Sequence, residues 1–187
     1  MPALFLAFLA VLVLSFGGRD QLLIAHLSAR SGQSASVLLV GLASAAVAAG
    51  AIAMGGAWMA GLMSSSARTM FVALALGLAA FELAWPIRVT KPVEPTMSIF
   101  AIFLVLFSRQ VTDAGRFVAL AVVVATASPL LGGIGAALGG FLATALAWTA
   151  GDALESRVPL RAIRIGLAIL TAVAAAAIGL SARGLVA

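Results

Sequence analysis

Residues 35–63, ASVLLVGLASAAVAAGAIAMGGAWMAGLM, contain no charged side chain. A helix needs about 20 consecutive apolar residues to cross the hydrocarbon core of a bilayer, and this run is longer than that. The apolar residues are continuous and do not alternate with polar ones, which favours a helix over a strand of a barrel. The run therefore predicts a transmembrane helix.

The whole 187-residue chain has the same apolar character. Hydrophobic residues make up 64% of it, charged residues 9%, and the mean hydropathy is +1.21. Soluble domains are roughly a quarter charged, and disordered segments are poorer still in apolar residues, so both classes are excluded. There is no cysteine and only one histidine, which excludes disulfides, thiolate metal sites and histidine clusters.

Further apolar stretches lie on both sides of this run, separated by short polar or Pro/Gly breaks. They predict five more spans, at residues 2–27, 69–85, 97–126, 130–154 and 161–180. The predicted fold class is an all-α integral membrane protein with six transmembrane helices. We expect the lipid bilayer as its partner and no nucleic acid, because the net charge of +5 is scattered along apolar runs.

An internal repeat divides the chain. Residues 8–12 and 21–22 align with residues 103–107 and 116–117, and residues 57–61 align with residues 147–151. The alignment predicts a first three-helix repeat at 1–88, a cytoplasmic linker at 89–95 and a second three-helix repeat at 96–187. Because three is an odd number, the second repeat enters the membrane from the opposite face, as in many secondary transporters.

Basic residues set the predicted orientation, since cytoplasmic loops carry an excess of Lys and Arg. The side of the loops after the first, third and fifth spans carries most of these charges, and the other side has Arg68 and Arg183. We therefore expect both termini in the periplasm of a bacterial inner-membrane protein. The bacterial source is suggested by the composition, since arginine exceeds lysine and asparagine is absent, as is typical of GC-rich bacterial genomes. The charges on the predicted cytoplasmic side are Arg30, Arg88, Lys91, Arg157, Arg161 and Arg164.

Polar residues interrupt the first and fourth spans at corresponding positions. Ionisable residues inside a span are costly and mark functional sites, so we expect the two breaks to meet between the halves. The first break carries Ser15, Gly17, Arg19, Asp20 and Gln21, and the second carries Arg109, Gln110, Thr112, Asp113 and Arg116.

The two breaks resemble the paired motifs of the calcium:cation antiporter-2 family, whose eukaryotic members are Golgi manganese/calcium transporters. Residues 15–22 with 29–32 look like the first motif, residues 110–117 look like the second, and residues 129–140 and 157–161 are also similar to that family. Each half of the family carries Glu-x-Gly-Asp-Lys-Thr-Gln. The resemblance implies a secondary transporter, not an enzyme, that exchanges Mn²⁺ or Ca²⁺ for protons at a midplane site without a resident cofactor.

This resemblance assigns roles to the polar residues of the breaks. Asp113 is the central ion ligand and the candidate metal ligand. Asp20 is an oxygen donor only if the backbone unwinds near Gly17, because a continuous helix turns Asp20 about 200° away from Gly18. The other candidate oxygen donors are Gln110, Thr112 and Ser15, and the site-tuning residues are Arg19, Arg116, Arg109, Gly17 and Gln21.

Two alternatives stay open because the acids of the family motif are mostly replaced. Ser15 and Gln110 stand at the glutamate positions, and Gly18 stands at the first aspartate. On a continuous helix Asp113 would share one face with Arg109 and Arg116 and be neutralised there. Arg19 and Asp20 would likewise pair across the halves with Asp113 and Arg116. The alternatives are a non-transporting protein that keeps the scaffold and an exporter of another small solute, such as an anion.

Other polar and small residues are given structural roles. Glu82 is expected at the membrane interface facing Arg88, and His26 is expected near the interface as well. Gly135 and Gly139 have the small-x-x-x-small spacing that lets two helices approach closely.

Overall fold

A computed structural model of the protein describes residues 1–87 and 98–183, which form helices and turns without a strand. The linker predicted at 89–95 and the orienting charges Arg88 and Lys91 lie outside the described residues. In chain order the helices are α1 (Pro2–Leu14), α2 (Arg19–Arg30), α3 (Ala35–Leu62), α4 (Ser65–Ala84), α5 (Ile99–Val111), α6 (Ala114–Thr126), α7 (Pro129–Ala150), α8 (Ala153–Arg157) and α9 (Leu160–Ala182).

The long apolar helices identify a membrane-embedded, all-helical protein. α3, α4, α7 and α9 are each long and apolar enough to cross a bilayer, and α1 with α2 forms a fifth candidate that bends by 63° at its break. α5 and α6 are apolar but shorter. The predicted all-α membrane class is confirmed at this level, while length and composition do not establish a sixth span.

The outer surface of the protein is apolar. Only 11% of the most apolar stretch of α9 is buried inside the protein, against 44% for α3. The exposed side chains include Ile169, Leu170 and Val173 on α9, and Phe81 and Trp85 on α4. Large apolar side chains exposed along apolar helices suit contact with lipid.

Two long helices form the centre of the molecule. α3 packs against α7, α1 packs on α7, and α5 packs on α3. α6 contacts α1, α3 and α4, while α4 and α9 form an outer pair. The breaks of the first and fourth predicted spans are thereby brought to the middle of the bundle, next to the central pair.

Glycines bring the backbones of α1 and α7 together. A Cβ on Gly135 would meet the carbonyl oxygen of Leu4, and one on Gly139 would lie 2.6 Å from the carbonyl oxygen of Phe8. The close approach predicted from the spacing of these glycines is confirmed.

Both predicted breaks interrupt a helix, each by a different device. In the first half, Gly17 adopts φ +68°, a left-handed conformation that glycine reaches without steric cost, and the extended Gly18 then begins α2. In the second half, α5 ends at Val111 and Asp113 caps α6 by accepting from the Gly115 N–H.

This second break overturns one expectation. The alignment of Arg109, Asp113 and Arg116 on a single helical face is wrong, because α5 and α6 are separate helices that begin and end on either side of Asp113.

Candidate functional site

Asp113 joins the two breaks through a hydrogen bond. Its Oδ2 accepts from the Ser15 hydroxyl and, at 3.0 Å, from the Gly115 N–H. Asp113 and Ser15 are only 4% and 3% exposed. The contact thus ties the break of the first half to that of the second inside the protein.

Gly18 lies at the centre of a group of oxygen atoms. A Cβ placed on it would be 2.9 Å from Asp20 Oδ1, 2.9 Å from the Ser15 carbonyl oxygen and 3.1 Å from Asp113 Oδ1. These oxygens lie around one point beside Gly18 that is too close to them for a methyl group, and Ser15, Asp20 and Asp113 form what we call the acid cluster. The unwound backbone that Asp20 needs in order to reach the cluster is present at Gly17.

Neither acid of the cluster forms a salt bridge with a base in the described parts of the chain. Asp20 is buried, and its Oδ1 has no hydrogen-bond partner among the described residues. Within the described parts of the chain, the ion pairs of 4.0 Å or less do not involve Asp20 or Asp113. The alternative in which Arg19 and Asp20 form ion pairs across the halves with Asp113 and Arg116 is therefore wrong, and both carboxyl groups lie beside Gly18 without a salt bridge.

The two glutamines of the breaks are buried and differ in their bonding. Gln21 accepts from the Gly17 N–H at 2.9 Å and donates to the Ala143 carbonyl at 3.1 Å, so it fixes the shape of the break against α7. Gln110 is 1% exposed, and its Oε1 lacks a hydrogen-bond partner in the described chain. Gln110 therefore brings another buried oxygen to the last turn of α5.

The three arginines near the breaks occupy different environments. Arg116 is buried and donates to the Ala136 carbonyl at 2.7 Å, in a space left by Gly140. Arg109 donates to the Arg19 carbonyl at 3.0 Å, and the Arg19 side chain is 44% exposed. Only Arg116 thus lies in the interior.

Thr112 is the predicted oxygen donor that the fold does not bring to the cluster. Thr112 is exposed, and its hydroxyl donates to the carbonyls of Ser108 and Arg109 at 3.1 and 3.2 Å. These bonds satisfy the end of α5 locally. The structure therefore unites Ser15, Asp20 and Asp113 and leaves Thr112 outside.

A buried ion pair between α4 and α9 was not expected from the sequence. Glu82 on α4 lies 3.1 Å from the Arg164 guanidinium on α9 and 4.0 Å from that of Arg19. Glu82 is 9% and Arg164 3% exposed, so the pair is covered by the protein, while the expected partner Arg88 lies outside the described residues. Opposite charges inside two apolar segments were the available signal.

His26 is buried as well, through a contact with α8. The histidine is 3% exposed, and its Nε2 lies 2.9 Å from Glu155 Oε2 on α8. The short α8 covers this histidine, which explains why a position near the end of α2 is not at the surface. The contact links α2 to the segment that precedes α9.

The acid cluster has a limited capacity for a metal ion. Among residues 1–87 and 98–183, no group of three or more His, Cys, Asp or Glu side chains is placed to hold one. The available ligands are two carboxylates and neutral oxygens. Such a set suits reversible binding of a cation better than a permanent metal centre.

Comparisons with known proteins add no assignment. No protein-family model, curated protein or solved structure matches this chain. The resemblance to the calcium:cation antiporter-2 motifs therefore stays a prediction, and the function is argued from the geometry of the acid cluster.

Proposed function

We propose that this protein is a six-span secondary transporter of two inverted three-helix repeats that exchanges Mn²⁺ or Ca²⁺ for protons at the acid cluster. The helix starts support the repeat, because they pair at close to the 95-residue spacing of the sequence alignment. The pairs are Pro2 with Ile99, Arg19 with Ala114, Ala35 with Pro129, and Ser65 with Leu160.

The packing also supports the repeat. The broken helix of each half lies on the long helix of the other, with α1 on α7 and α5 on α3. Reciprocal contacts of this kind are expected when two repeats are related by an axis in the membrane plane. Transporters of that design place the substrate site between the halves, next to broken helices.

The convergence of Asp20 Oδ1, Asp113 Oδ1 and the Ser15 carbonyl around Gly18 is the observation that carries the proposal. Hard divalent cations prefer oxygen ligands, with carboxylates to offset their charge. Unpaired buried carboxylates are costly, so each must take up a cation or a proton. A site that accepts either one supplies the competition on which cation/proton exchange depends.

The surrounding residues prepare the cluster for this exchange. Ser15 and Gly115 hold Asp113 through Oδ2, and its Oδ1 lies beside Gly18. Gln110 has a buried Oε1 without a hydrogen-bond partner in the described chain, and Arg116 is anchored to the Ala136 carbonyl of α7. Because Asp20 belongs to one half and Asp113 to the other, a rocking motion between the halves separates the two acids and exposes them to alternate sides.

Flux measurements on reconstituted protein test the proposal. We expect uptake of Mn²⁺ or Ca²⁺ into proteoliposomes under a proton gradient, and a loss of about tenfold or more in Asp113→Asn and in Asp20→Asn. Asp152→Asn is the matched control, because Asp152 is an exposed carboxylate outside the cluster. The proposal fails if the wild-type protein moves neither ion, or if both cluster variants transport like the control.

A further inference from the structure

A cavity of about 970 Å³ lies beside the first break, between α2 and the segment that leads into α9. Its walls are mainly apolar, with charged side chains from α8 and α9. Gly17 and Leu22 line it from the first half, and Glu155, Leu160, Arg161 and Arg164 line it from the second.

Leu160 occupies the inner end of this cavity. A Cβ on Gly17 would be 3.0 Å from Leu160 Cδ2 and 3.3 Å from its Cβ, so the leucine side chain rests directly on the glycine. The next residue, Gly18, is the one around which the acid cluster converges. Gly17 and Leu160 thus line the cavity together, and the backbone of Gly17 separates it from the residue beside which the carboxylates lie.

The charged residues of the cavity wall are held in place. Arg164 is paired with Glu82 at 3.1 Å, and Arg161 donates to the Ala84 carbonyl at 2.8 Å. Glu155 is 54% exposed at its side chain and contacts His26. Both guanidiniums are therefore tied to α4, and an accessible carboxylate faces the open space.

We infer that this cavity is the aqueous vestibule by which the ion and protons reach the acid cluster, and that Leu160 is the hydrophobic plug that closes it. The inference rests on the proposed function. A constriction lined by an apolar side chain excludes water and ions until it moves. Leu160 is the first residue of α9, so a small displacement of that helix relative to α2 uncovers Gly17.

Cysteine accessibility tests the plug without any transport measurement. The chain has no cysteine, so Ser15→Cys places a single reactive thiol at the cluster. We expect slow reaction of this thiol with a small cationic methanethiosulfonate reagent, and a reaction roughly tenfold faster when Leu160→Ala is added. Leu160→Met, which keeps the apolar volume, is expected to react as slowly as the parent.

Two controls separate plug removal from general loosening. Ser44→Cys places the thiol at another fully buried serine, on α3. Ile165→Ala shortens a side chain that lines the cavity but has no atom among those nearest to Gly17. The inference is supported if Leu160→Ala speeds labelling at position 15 alone. Equal labelling of position 15 with and without Leu160→Ala overturns it, and so does a matching rise at position 44 or the same rise with Ile165→Ala. Absent cation flux with unchanged labelling results would refute only the proposed function.

Discussion

Gly17 and Gly18 decide the local chemistry of the first break. Gly17 supplies the left-handed conformation that ends the first helical stretch, and Gly18 supplies the space that lets Asp20 and Asp113 face each other. A side chain added at Gly17 and one added at Gly18 would have different effects. At Gly17 it strains the backbone, whereas at Gly18 it fills the space between the oxygens.

Substitution of Gly18 by alanine tests the role of that space. The added methyl group would be 2.9 Å from Asp20 Oδ1 and 3.1 Å from Asp113 Oδ1, so the oxygens must separate. We expect Gly18→Ala to lower cation flux about tenfold or more and to reduce stability by about 1–3 kcal/mol. Flux and thermal unfolding in detergent measure the two effects.

Gly50→Ala provides the comparison for that variant. Gly50 lies within α3, and a Cβ there meets nothing within 4 Å. Alanine favours a helix over glycine by up to about 1 kcal/mol, so this variant should be as stable as the parent or more so. Equal flux in Gly18→Ala and Gly50→Ala would show that the space at Gly18 is unimportant for transport.

The buried pair of Glu82 and Arg164 makes a separate prediction about stability. Removing one partner leaves a buried charge without compensation, and such losses cost about 3–5 kcal/mol. We expect Glu82→Gln and Arg164→Gln each to lower the thermal midpoint strongly, and the double variant to be less destabilised than the sum of the two. Glu155→Gln, at a half-exposed carboxylate, should change stability by less than about 1 kcal/mol. Additive losses in the double variant would show that the two side chains do not act as a pair.

At the scale of the helices, the contact between α1 and α7 positions the first break. Gly135 and Gly139 allow the α1 backbone to lie against α7, and Gln21 then bonds to the Ala143 carbonyl one turn further along. Close approach of two helices depends on small residues at the interface. The depth of the break in the bundle therefore follows from where the glycines of α7 lie.

Alanine at these glycines should push the two helices apart. A methyl group on Gly135 meets the Leu4 carbonyl, and one on Gly139 lies 2.6 Å from that of Phe8, and backbone atoms cannot yield locally. We expect each variant to lose about 1–3 kcal/mol, as overpacked cores do. Gly166→Ala on α9 is the control, because a Cβ there meets nothing within 4 Å. Thermal unfolding measures all three, and equal midpoints would refute the close contact.

At the scale of the whole molecule, the proposed inverted repeat depends on the number of spans. Two halves of three spans place the breaks of α1–α2 and α5–α6 on an axis between them, whereas a five-span arrangement removes this symmetry. The shorter α5 and α6 are the elements on which the difference depends. Sidedness of the connecting turns distinguishes the two arrangements.

Single cysteines at exposed serines measure that sidedness. With six spans, Ser31→Cys in the α2–α3 turn and Ser156→Cys in α8 should react with an impermeant reagent from one side of the membrane, and Ser64→Cys in the α3–α4 turn from the other. The absence of native cysteine removes background labelling. Reaction of Ser31→Cys and Ser156→Cys from opposite sides would contradict the inverted repeat.

The predicted helices and the observed ones agree most closely where the apolar run is unbroken. The run 35–63 became α3 (Ala35–Leu62) almost residue for residue, because length and hydropathy alone decide a span. The direction and contacts of polar side chains near helix ends were harder to predict. Thr112 faces outward and Glu82 inward, since the direction of a side chain at the end of a helix depends on the neighbouring helices and not on local sequence.

By itself the sequence determined the membrane class, the main helices, the two breaks and the candidate acids, because hydropathy, glycine conformation and the cost of buried charge are local properties of the chain. Only the tertiary structure decided that Asp20 meets Asp113 around Gly18, that Arg164 neutralises Glu82, and that Leu160 covers Gly17. Each of these contacts joins residues far apart in the chain. Their distances follow from how the helices pack against one another, and no local pattern of residues encodes that packing.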